Sequence, residues 1–122
     1  MLLEDKYYKV TDGKTDGPNG IFRIQLLPDS DVYRGHFPGN PVCPGVCNIE
    51  MIKECTARLT GKKLFISSIK QCRLTAIASP SVCPELDIRI NAQPSDEGFS
   101  VSAKISDAEK VYMEYKGEMR VL

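Results

Sequence analysis

Hydrophobic positions recur with a period of two through the last third of the chain. Leu86, Ile88, Ile90 and Ala92 alternate with Asp87, Arg89 and Asn91. Phe99, Val101, Ala103 and Ile105 alternate with Ser100, Ser102, Lys104 and Ser106. Val111, Met113, Tyr115, Met119 and Val121 alternate with Tyr112, Glu114, Lys116, Glu118 and Arg120. Successive side chains of a strand point to opposite faces, so the pattern predicts three strands, each with one apolar and one wet face. The connections, residues 94–98 and 107–109, are short and polar and predict hairpins in an antiparallel sheet.

Earlier in the chain the pattern is less regular. Residues 7–10 can begin a strand, and residues 11–20, rich in glycine and turn-forming polar residues, predict a loop or hairpin connection. Residues 21–27 predict a strand that Pro28 ends, since proline cannot donate to a ladder. Residues 64–74 predict a long strand, and residues 75–84, broken by Pro80 and Pro84, predict irregular chain. Residues 46–59 contain neither proline nor glycine and predict the single helix, which Gly61 stops. Val46, Ile49, Ile52 and Leu59 fall near one face, with Met51 and Cys55 widening it. A broad apolar face on a lone helix predicts burial against the sheet. The expected fold class is α+β, a curved antiparallel sheet around one helix, formed by residues 1–122 as a single domain.

Charge narrows the functions available. Sixteen basic residues balance 16 acidic ones without a like-charge block, which argues against nucleic-acid or membrane-surface binding. The first residues lack the pattern of a signal peptide. The five cysteines, Cys43, Cys47, Cys55, Cys72 and Cys83, are an odd number and predict reduced thiols in the cytoplasm. Cys43 and Cys47 have a spacing that some zinc sites use, but no second pair follows, so no metal or other cofactor is expected.

The candidate chemistry lies between the strand ending at Pro28 and the helix. Residues 35–50 hold the only histidine, His36, with Pro38, Pro41 and Pro44 spaced three apart. The proline spacing also fits a polyproline ligand, although such ligands usually occupy exposed, disordered segments. A lone histidine is most often a surface residue. Here the flanking glycines and prolines restrict the backbone around it, as a placed acid–base group requires. An ordinary imidazole, with a pKa of about 6.5, can take and return a proton at neutral pH. Gly45 and Val46 open the helix, where backbone N–H groups lack intrahelical partners and the helix dipole is positive. They form either a plain Pro-Gly turn or an oxyanion site. Glu50 stands five residues further on, about 7 Å along the helix axis. Most helical glutamates are solvated; buried under the sheet, Glu50 would serve as a protonated general acid.

Taken together, residues 36–50 resemble the H-F-P-G-x-P-x-x-P-G-V-x-x-x-E signature of the β-hydroxyacyl-acyl-carrier-protein dehydratases. The weaker similarity of Leu2-Leu3-Glu4-Asp5-Lys6, and of Phe65-Ile66 through Arg73, extends it over most of the chain. The resemblance implies a hot-dog fold and dehydration of a 3-hydroxyacyl thioester on acyl carrier protein. It implies that His36 takes the α-proton, that Glu50 assists loss of the β-hydroxyl, and that the Gly45 amide, beside Val46, holds the thioester carbonyl. It also implies a homodimer, or a trimer of dimers, in which histidine and acid come from different protomers. A thioesterase, an isomerising dehydratase or a non-catalytic carrier-binding subunit would share the fold. The sequence departs from the family at Lys53-Glu54, where the second acid replaces a glutamine, at Pro84-Glu85-Leu86-Asp87, and in a longer segment 75–84. These departures are expected at the acyl tunnel and its gate.

Overall fold

A computed structural model of the chain describes residues 3–30, 45–76, 78 and 84–122. Among these residues six strands and one helix follow in the order β1 (Tyr8–Asp16), β2 (Asn19–Leu26), α1 (Gly45–Thr60), β3 (Leu64–Leu74), β4 (Glu85–Ser95), β5 (Gly98–Ser106) and β6 (Val111–Val121). They form one sheet in the order β1-β2-β4-β5-β6-β3, with every neighbouring pair antiparallel.

The period-two pattern is what sets the core. Leu86, Ile88, Ile90 and Ala92 of β4, Val101, Ala103 and Ile105 of β5, and Met113, Tyr115 and Met119 of β6 are all buried. From β2, Phe22, Ile24 and Leu26 join the same face. Helix α1 packs against β2 and β4 and also against β3, at the far edge of the sheet. One straight helix can reach both parts only if the sheet curls around it, which is the hot-dog arrangement. No helix among the described residues is long and apolar enough to cross a membrane.

The buried face of α1 differs from the expected one. Its centre is Met51, Ile52 and Cys55, each fully buried, whereas Val46 is 73% exposed. Ile49 and Leu59 are only half-buried. Val46 lies in the first turn, before the helix runs under the sheet.

The segment expected to be a loop or hairpin connection, residues 11–20, is a hairpin: it divides between β1, the Gly17-Pro18 turn and β2. β1 is an edge strand with an irregular register between Val10 and Asp12. Its polar residues are tolerated because most of them face solvent. Gly13 stands opposite Phe22, whose ring lies 3.1 Å from where a Cβ would project.

Candidate active site

The first two turns of α1 carry three of the four candidate residues. Gly45 is the first residue of the helix, Val46 follows, and Glu50 comes one turn after Val46 on the same side. His36 lies outside the described residues, as do Cys43 and Cys83.

Gly45 has no positive φ, and a Cβ there would meet Leu74 Cδ1 of β3 at 3.4 Å, an ordinary contact. Neither backbone conformation nor crowding among the described residues therefore calls for glycine. A side chain would, however, obstruct approach to the first backbone N–H groups, which no helical carbonyl can satisfy. Val46 and Leu74, 73% and 62% exposed, give this end of the helix an apolar surround.

Glu50 is half-buried rather than sealed under the sheet. Its Oε1 lies 2.5 Å from Lys53 Nζ, and the two side chains are 20% and 21% exposed. The acid is thus paired with an ammonium group one turn along the helix. Burial as an isolated general acid does not describe it. Lys53, a departure from the family signature, is part of the surroundings of Glu50.

Glu54 has a different task from the tunnel position expected of it. It is buried, and its carboxylate accepts the backbone N–H of Leu3 at 2.8 Å and of Glu4 at 3.0 Å, and the Tyr8 hydroxyl at 3.0 Å. Alongside, the Tyr7 hydroxyl donates to Asn48 Oδ1 at 3.1 Å, and Arg58 pairs with Glu4. Glu54 therefore ties the N-terminal segment to the helix that carries Glu50. Sequence reasoning missed this anchor. The available signal was a pair of adjacent tyrosines following a short turn whose N–H groups need an acceptor. Burial pushes the Cys55 thiol up to about 12, and burial, with Cys55 and Glu54 nearby, also raises Tyr8. Both groups are therefore held in their neutral form at neutral pH.

Among the described residues no cluster of three potential metal ligands occurs. A groove of about 730 Å³ crosses the sheet, but none of Gly45, Val46 and Glu50 lines it.

The profile of the ApeI-like dehydratase family (ApeI dehydratase) matches residues 12–114. The chain is 31% identical over 104 residues to the 3-hydroxyacyl-[acyl-carrier-protein] dehydratase FabZ of Lactiplantibacillus plantarum, covering 79% of this chain and 71% of that one. It is 23% identical over 117 residues to FabZ of Ligilactobacillus salivarius, covering 90% and 81%. Among solved structures, the dehydratase heterocomplex ApeI:P of Xenorhabdus doucetiae superimposes with a TM-score of 0.76 at 20% identity, over 91% of this chain and 96% of that one. A hypothetical thioesterase with coenzyme A from Streptococcus pneumoniae gives 0.69 at 8% identity, over 94% and 85%. The two superpositions establish the shared fold, and the profile, spanning all six strands in whole or part, establishes the family. The chain belongs to the ApeI-like dehydratase family.

Proposed function

We propose that the protein removes water from a 3-hydroxyacyl thioester carried on acyl carrier protein, giving the trans-2-enoyl thioester. The observation that carries the reading is the placement of Glu50 one turn behind Gly45 and Val46, at the positive end of the only helix among the described residues. Elimination next to a thioester needs a base for the α-proton, a donor for the carbonyl oxygen as charge builds there, and a proton source for the departing hydroxyl. His36 supplies the first. The Gly45 N–H supplies the second, and one such donor is typically worth about 3 kcal/mol of barrier. Glu50, held against the Lys53 ammonium, assists the third. The α-proton goes to the imidazole, its bonding electron pair forms the C2=C3 bond, the C–O bond breaks, and the hydroxyl leaves as water with a proton delivered at Glu50, which the imidazolium then restores; no cofactor is required.

The working form is a homodimer or a trimer of dimers, in the cytoplasm. Val46 and Leu74, exposed beside Gly45, fit a site that a second chain completes. The Xenorhabdus dehydratase is a heterocomplex, which makes an unlike partner the alternative to a second copy. The test is turnover across 3-hydroxyacyl carrier-protein substrates of graded chain length, with His36→Ala as the control. Loss of dehydration in His36→Ala is expected, because no other histidine can substitute. Unchanged turnover in that variant, or release of free thiol without an enoyl product, would overturn the reading.

A further inference from the structure

The strand register lines up one row of side chains across the sheet face turned away from α1. From β2 to β3 the row reads Ile21, Arg89, Lys104, Glu114 and Arg73, and Lys116 stands in the next row. These residues line the groove of about 730 Å³. Among the described residues that line it, four cations face a single carboxylate. Glu114 lies 3.9 Å from Arg73, with both side chains well exposed, so the pair is weak. Among the described residues Arg89, Lys104 and Lys116 form no ion pair.

Two features set this row apart from an ordinary solvated face. Arg89 and Lys104 are direct cross-strand partners, and like charges in that position destabilise a sheet. The chain as a whole is neutral, so the concentration is local rather than a surplus of base. Carboxylates gather instead around a separate groove that Glu85, Asp87, Asp107 and Glu109 help to line. Glu114, the cross-strand partner of Lys104 on its other side, offsets only part of this repulsion, and an anion seated between Arg89 and Lys104 would offset the rest.

We propose that this groove docks an acidic partner protein whose contacting surface carries a run of carboxylates. Strands lie about 4.8 Å apart, so the cations from β4 to β3 spread over roughly 14 Å. That is too wide for a single phosphate and suits carboxylates repeated along a helix or strand. Among the described residues lining the face the one aromatic side chain, Tyr115, is only 1% exposed and cannot stack bases, as a single-stranded nucleic acid requires. The surface faces away from Gly45 and Glu50, so the inference stands independently of the dehydration reading.

The experiment uses the full chain and a fluorescent poly-L-glutamate peptide, with binding followed by anisotropy at low salt. Wild-type protein should bind, and added salt should weaken the complex. Arg89→Glu and Lys116→Glu should each weaken binding about tenfold. Lys62→Glu, exposed in the turn after α1, should leave it unchanged. Arg89→Glu also replaces repulsion of Lys104 by attraction, so its Tm should not fall and lost binding cannot be ascribed to unfolding. The proposal is overturned by absence of peptide binding at low salt, or by equal binding in all variants. Tighter binding of a single-stranded oligonucleotide, lost in the same variants, would also overturn it and reassign the face to nucleic acid.

Discussion

One helical turn separates Glu50 from Glu54, and the two carboxylates are placed for different ends. Glu50 is half-buried and paired with Lys53, while Glu54 is buried and accepts three hydrogen bonds from the N-terminal segment and Tyr8. Read as a string, Lys53-Glu54 is a departure from a familiar signature, and its position suggests the acyl tunnel. What the string does not contain is the return of residues 3–8 onto the helix, about fifty positions away, which is what gives Glu54 its partners. Glu54→Ala would leave two backbone N–H groups and a phenol without an acceptor in a buried place. A loss of about 3 kcal/mol in urea denaturation is expected, because an unsatisfied buried donor typically costs about 1–3 kcal/mol. Glu54→Gln keeps one acceptor oxygen and should lose less than half as much. Equal stability of the alanine variant and wild type would show that the N-terminal segment docks without Glu54.

Strands with strict alternation were legible almost to their ends, because burial of one face leaves little choice of register. β3 occupies the predicted residues 64–74, and α1 exceeds its prediction by one residue at each end. β1 was half legible. Asp12, Gly13, Lys14 and Asp16 are poor strand formers, and pairing with β2 holds them extended. The irregularities of β3 could not be read at all. Its pairing with β6 shifts between Ile66 and Ser68 and again between Ile69 and Gln71. The first shift lies beside a close approach to β6: a Cβ on Gly117 would sit 2.4 Å from the Ser68 carbonyl oxygen and 2.8 Å from the Tyr115 hydroxyl. The carbonyl belongs to the backbone and cannot turn aside. Gly117→Ala should therefore cost roughly 2–3 kcal/mol, read from the urea midpoint, by forcing β3 away from β6. Ser100→Ala, exposed on β5, should change stability by less than about 0.5 kcal/mol. If both variants unfold together with wild type, β3 does not approach β6 closely enough at Gly117 to exclude a methyl group.

At the scale of the molecule, the site inferred from residues 36–50 is not closed by the helix that begins it. Val46 and Leu74 stand exposed beside Gly45, and β3 is an edge strand with Ile69 47% exposed. Exposed apolar side chains on an unpaired edge are a liability unless a partner covers them. The candidate residues could be proposed from the chain because residues 36–50 keep the spacing of a known signature. Their distribution between protomers was not, since a sequence reads the same whether His36 meets the Glu50 of its own chain or of another. Co-expression of His36→Ala with Glu50→Gln decides between the two. Each variant alone should be inactive. If histidine and acid come from different protomers, each mixed dimer keeps one intact pair. Random assembly makes half the dimers mixed, so about a quarter of wild-type turnover returns. If both groups come from one protomer, every site in every dimer lacks one of them and no turnover returns. A quarter of wild-type activity in the co-expressed pool, with none in either variant alone, is the expected outcome, because among the described residues Val46 and Leu74 leave an exposed apolar surface beside Gly45 for a second chain to cover.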